Sequence, residues 1–136
     1  MALVDVEQLL TNFLRAQPEV TAVVADRVYT DLPHQRAYPM VVITRIGGQH
    51  LINRPQWLDE ALVQFDVLGG THKQAFALMS SCLGLLVERG IRAHPEGCVT
   101  GVTSDSIAYN PEEDFVDGQG HSRPRYTTTV NVLVHP

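Results

Sequence analysis

Residues 60–74, EALVQFDVLGGTHKQ, constrain the fold of this chain more than any other stretch. Ala61, Val63, Phe65 and Val67 alternate with Glu60, Gln64 and Asp66. A period of two places the apolar set on one face of a strand and the polar set on the other. Gly69-Gly70 then breaks the strand, and Thr71 followed by Gln74 has capping-box spacing for a helix start. Ala75, Phe76, Leu78, Met79, Cys82, Leu83 and Leu86 follow as a broad apolar stripe, with Gly90 suited to a C-terminal cap. A strand with one apolar face running straight into a striped helix predicts a helix packed on a sheet.

The flanking segments agree with that layering. Val6, Leu9, Leu10, Phe13 and Leu14 recur at helical spacing after Asp5, a capping residue. Pro18 ends this helix or starts a short second turn over 20–25. Val28 to Thr30 suits a brief strand, and Leu32 to Pro39 holds two prolines and reads as a loop. Met40 to Ile46 alternates as a strand buried on one side and half-buried on the other. Gly47 to Asp59 reads as a polar loop. Cys98 to Tyr109 is rich in Val, Thr, Ser and Ile and reads as a strand. Asn110 to His121 reads as an acidic, glycine-containing loop. In Arg125 to Val134, Tyr126, Thr128, Val130, Val132 and Val134 share one face of a last strand.

The predicted fold is α+β: a single antiparallel-rich, mixed sheet of four to five strands, with two main helices packed on one face. The order is α-β-β-β-α-β-β, within one domain over residues 1–136. A length of 136 residues lets a single core form without a metal or disulfide staple. The two cysteines, Cys82 and Cys98, lack metal-site spacing, and Cys82 falls in the helical stripe, which suits reduced, cytosolic folding. The first residues lack the basic region of a signal peptide, and no apolar run approaches the roughly 20 residues of a membrane span, so a soluble protein is expected. A net charge of -5 argues against a nucleic-acid reader but suits a surface that DNA merely passes.

Catalytic motifs are weak throughout. His34, His50, His72, His94, His121 and His135 include no pair three or four residues apart, so surface histidines are expected rather than zinc ligands. Ser80-Ser81 has no nucleophile-elbow context. Gly69-Gly70-Thr71-His72-Lys73 opens a helix after a strand, as a phosphate loop would, but lacks P-loop spacing; a tight turn explains both glycines. The acids Glu112, Glu113 and Asp114 lack calcium-loop spacing. No catalytic residue, metal or cofactor is expected.

The segments ADRVYTDLP, YPMVVITRIGG, ALVQFDVLGGTHKQAFALMSSCLGLL and RYTTTVNVLV, in this order, resemble the tail terminator (tail completion) proteins of long-tailed bacteriophages. The resemblance covers nearly the whole chain. It is carried by Asp26-Arg27-Val28-Tyr29 with Leu32-Pro33, and by Val63-Gln64-Phe65-Asp66-Val67 leading into the helix. It implies a structural, non-enzymatic virion protein at the tail-neck junction, assembled in the host cytoplasm. Its subunits would form a ring, usually a homohexamer, that caps the finished tail tube and meets neck and head-tail connector proteins. Genomic DNA would pass through the lumen without specific binding. Another neck protein of stopper or adaptor type, and a small cytosolic ligand-binding or enzymatic domain, are the alternative readings.

Candidate interface residues follow from chemistry. Trp57, the only tryptophan, and Arg54 lie in a polar segment and suit contact anchors, although Trp57 folding back onto its own sheet is an equal alternative. Phe115 is a lone aromatic among acids. Arg123 and Arg125 could pair with those acids across subunits. Arg27 reads first as a tie between the helical segment and the first strand, with an intersubunit ion pair as its second reading.

Overall fold

The computed structural model describes residues 3–35, 37–51, 58–88, 95–116 and 122–136. Three helices, α1 (Val6–Arg15), α2 (Pro18–Val24) and α3 (His72–Glu88), lie on one face of a five-stranded sheet. The sheet strands are β1 (Val28–Tyr29), β2 (Met40–Leu51), β3 (Leu58–Leu68), β4 (Cys98–Tyr109) and β7 (Arg125–His135). Their spatial order is β1-β2-β3-β7-β4. Among the described strands of this sheet only β1 and β2 run parallel; the other pairs are antiparallel, so the sheet is mixed and antiparallel-rich. Between β4 and β7, a small hairpin joins β5 (Glu112–Val116) and β6 (Ser122–Arg123).

Local chemistry starts each helix where the sequence predicts it. Asp5 Oδ1 accepts from the Gln8 N–H at 3.1 Å and caps α1. Pro18 opens α2 at a position whose N–H would lack an intrahelical partner anyway. At α3 the capping box closes in both directions: Gln74 N–H donates to Thr71 Oγ1 at 3.2 Å, and Thr71 N–H donates to Gln74 Oε1 at 3.0 Å. Gly69 and Gly70, which turn the chain from β3 into α3, have φ of 98° and 66°. A Cβ on Gly69 would lie 2.4 Å from Tyr38 Cβ, so the turn needs glycine for space as well as conformation. Gly90, expected to cap α3, lies outside the described residues.

The period-two face of β3 becomes the centre of the core. Ala61, Val63, Phe65 and Val67 are buried, flanked by Val41 and Ile43 of β2 and by Val130, Val132 and Val134 of β7. Leu9, Leu10 and Leu14 of α1, Val20 and Val24 of α2, and Met79 and Leu86 of α3 close over them. Burying such side chains stabilises the fold by roughly 1.5–3 kcal/mol each. A smaller cluster on the opposite face joins Met40, Val42 and Leu68 with Tyr29 and Tyr38.

Three segments depart from the predicted boundaries. β2 runs on through Gly47-Gly48 to Leu51, and β3 begins at Leu58, within the segment expected to be a polar loop. A bulge at Arg45/Gly47 shifts the register, and Gly48, with φ of 104°, pairs opposite Ala61. A Cβ there would strike the Glu60 carbonyl oxygen at 2.1 Å, so glycine permits the pairing to continue. The acidic segment contains β5 and its partner β6 rather than loop alone. Phe76, expected in the helical stripe, is 48% exposed, its ring meeting that of Tyr126 edge-on.

Pairing β2 with β3 also creates a buried ion pair. Asp59 lies on the core face of β3, and Arg45 reaches it from β2 with N–O distances of 2.5 and 2.7 Å. The Asp59 side chain is 1% exposed and that of Arg45 28%. The hydrogen bond to Asp59 raises the Arg45 pKa above its already high ordinary value, despite the opposing effect of burial.

Candidate interaction surface

The features most suited to intermolecular contact collect at the β4 margin of the sheet. β4 is an edge strand of 12 residues whose strand neighbour, among the described residues, is β7 alone. Ile107 pairs with Thr128 and Tyr109 with Tyr126, so both point to the helix face beside α3. Ile107 is 39% exposed and Tyr109 42% exposed. The start of α3 meets them there. The His72 imidazole stacks on the Tyr109 ring with centroids 4.0 Å apart and planes 7° from parallel. His72 Nε2 lies 2.5 Å from the Tyr126 hydroxyl, and Phe76 meets the Tyr126 ring edge-on at 5.5 Å. Four rings thus form one exposed cluster with polar atoms at its rim, the composition typical of a contact anchor.

The hairpin adjoins this end of the sheet. Glu112 of β5 stands opposite Arg123 of β6, with Arg123 Nε 3.8 Å from Glu112 Oε2. The Arg123 guanidinium also lies 3.5 Å above the Tyr38 ring centroid. Arg125 begins β7, and its Nε donates to the Asn110 carbonyl at 2.8 Å. The Asn110 N–H in turn donates to the Arg125 carbonyl at 2.8 Å, which closes the base of the hairpin.

The expected contact residues do not form one site. Arg123 and Arg125 flank the hairpin base, where each engages groups of its own chain. Arg27 lies at the other side of the sheet. Its Nε donates to the Pro39 carbonyl at 2.9 Å and its Nη2 to the Val23 carbonyl at 3.4 Å, which ties the end of α2 to the start of β2. Arg54 and Trp57 lie outside the described residues, as does the side chain of Phe115, whose backbone belongs to β5. His94 and His121 also lie outside them. The aromatic cluster was not singled out from sequence. Tyr109 closing one predicted strand and Tyr126 opening the next were its available signal, since antiparallel pairing brings those ends together.

Groups able to do chemistry are sparse here. Among the described residues no three His, Cys, Asp or Glu side chains converge as a metal site would require. Burial pushes the Cys82 thiol up to about 12, which leaves it protonated and a poor nucleophile. A cleft of about 260 Å³ opens on the helix-free face between Leu32, Val42, Leu68, Asp66 and Arg125. Its Asp66 carboxylate is already occupied, accepting from Thr127 Oγ1 at 2.7 Å and Gln64 Nε2 at 3.0 Å. No described helix is long and apolar enough to cross a membrane.

Comparison with known proteins agrees with a structural reading of these features. The fold is similar to a chain in the virion of a native gene transfer agent particle, with a TM-score of 0.70 at 16% sequence identity. That alignment covers 96% of this chain and 94% of the other. No curated protein sequence matches it significantly. Residues 2–109, most of the chain, match the family model for phage tail termination proteins, and the chain therefore belongs to that family of structural virion tail proteins.

Proposed function

We propose that this protein is the subunit of a ring that caps a completed phage tail tube, ends its growth and gives the proteins of the neck a surface to join. The observation that carries this reading is the family match over residues 2–109. The gene transfer agent chain that shares the fold also belongs to a virion particle. In this reading DNA crosses the lumen without specific contacts, which suits a net charge of -5, because tight phosphate binding needs clustered basic residues. The role is one of assembly and calls for no catalysis. Arg54, Trp57 and Phe115 remain contact candidates, Arg27, Arg123 and Arg125 weaker ones because their guanidinium groups engage their own chain.

Electron microscopy of isolated tails, with light scattering on the purified chain, tests the proposal. A ring of this subunit at the head-proximal end of the tube is the expected result. Tails of normal length and intact neck from particles that lack the protein would overturn it.

A further inference from the structure

We infer that the β4 margin of one subunit docks on the β2 margin of a second copy of the same chain, head to tail. This inference rests on the ring reading above and names the surfaces that would build the ring. Its first support is the state of β4. A 12-residue edge strand whose strand neighbour, among the described residues, lies on one side presents a row of backbone donors and acceptors to an extended partner. The strand carries two register irregularities, between Val99 and Gly101 and between Ser104 and Ile107. Such bulges spoil indiscriminate edge pairing and leave two regular stretches, Gly101 to Ser104 and Ile107 to Tyr109, of which the second carries the exposed apolar side chains that a matched partner can meet.

The second support is that exposed apolar side chains stand at both margins of the sheet, besides Val23 and Val87 on the helices. Phe76, Ile107 and Tyr109, 48%, 39% and 42% exposed, form a strip beside that edge. At the opposite margin, Leu32 and Ile46 are 48% and 49% exposed. Ile46 stands at the β2 bulge, and Leu32 lies beside Val42 and Thr44 of the same strand. Two unlike apolar margins on opposite sides of one sheet cannot both be covered by a two-fold contact. A head-to-tail contact covers both with one partner type, and such contacts close into rings when the rotation permits. A tube or neck protein seated on β4 alone would leave the β2 margin bare.

Cross-linking of the full-length chain tests the inference. Ile107→Cys and Ile46→Cys are introduced singly and together in a Cys98→Ser background and treated with a short bismaleimide. Both positions are exposed, so the variants should keep the thermal midpoint of the parent. The expected result is a ladder extending beyond the dimer in the double variant only. Dimers from Ile107→Cys alone would reveal a β4-to-β4 contact and overturn the inference. Rings visible by electron microscopy without a ladder would overturn it while the ring reading stands. A chain that is monomeric at every concentration and forms no ladder would overturn both. As an independent readout, Ile107→Lys should raise the concentration needed for assembly by roughly tenfold or more, and unchanged assembly would overturn the inference.

Discussion

The two edges of the sheet are built differently. At the β1/β2 edge the chain covers itself. β1 is only two residues long, and its Val28 carbonyl accepts from Arg15 Nη2 at 2.6 Å. Farther along, the Arg45 N–H donates to a Glu7 carboxylate oxygen at 3.3 Å, and the Arg45 side chain donates to the Gly47 carbonyl at 3.1 Å. Helix α1 thus supplies two side chains that occupy the backbone groups of that edge, and a bulge twists it. At the β4 edge, bulges are present, and His72 of α3 reaches over only as part of an aromatic cluster that itself stands exposed. Proteins blunt the edges they must keep single with short strands, charges and bulges. One edge shows the whole set and the other only the bulges, so the β4 edge keeps its backbone open to a partner, whereas the β2 margin offers the exposed side chains of Leu32 and Ile46 instead.

Breaking the covered edge should cost the most stability. Arg45→Met leaves the Asp59 carboxylate buried without its cation, and a loss of about 3 kcal/mol in chemical denaturation is expected. Asp59→Asn should cost less, because Arg45 is partly exposed and can rehydrate. Arg15→Ala removes one charged hydrogen bond from an exposed helix end and should cost about 1 kcal/mol. At the open edge the pattern should reverse. Ile107→Lys should change monomer stability by no more than about 0.5 kcal/mol, with its effect confined to association. Comparable destabilisation at both edges would remove the distinction.

Cys82 reports on α3, the helix beside the open edge. Its folded pKa rises from an ordinary 9.0 to about 12 because burial penalises the thiolate. The folded chain therefore keeps a proton that the unfolded chain releases. Stability from this group is complete below pH 9.0 and declines as pH climbs towards about 12. Near pH 8 a thiol reagent should label the part-buried Cys98 first and reach Cys82 only through opening of the structure. Equal labelling rates would show that α3 opens freely beside β4.

Elements set by short-range rules were legible from sequence alone. The strand Cys98 to Tyr109 runs between its expected ends, the Asp5 cap and the Thr71/Gln74 capping box form as spaced, and the alternation of β3 gives the core face. Each depends on residues within about one helical turn or a period-two repeat. The extension of β2 through Gly47-Gly48 and the β5–β6 hairpin were not legible, because glycine and acidic residues have poor strand propensity and only a partner strand holds them extended. The Arg45–Asp59 pair, 14 residues apart, depends on a register that a bulge shifts. Phe76 belongs to the apolar stripe read from sequence, and its exposure depends on which residues of other elements come to lie against it.

The candidate surface divides the same way. The family resemblance and the lack of a catalytic motif could be read from residue order, because local pattern carries both. Which edge is covered and which stays open was decided by tertiary structure. Backbone groups on a sheet edge look alike in every strand-forming sequence, and their exposure depends on which distant side chains, here Arg15 and Glu7 of α1, come to rest against them.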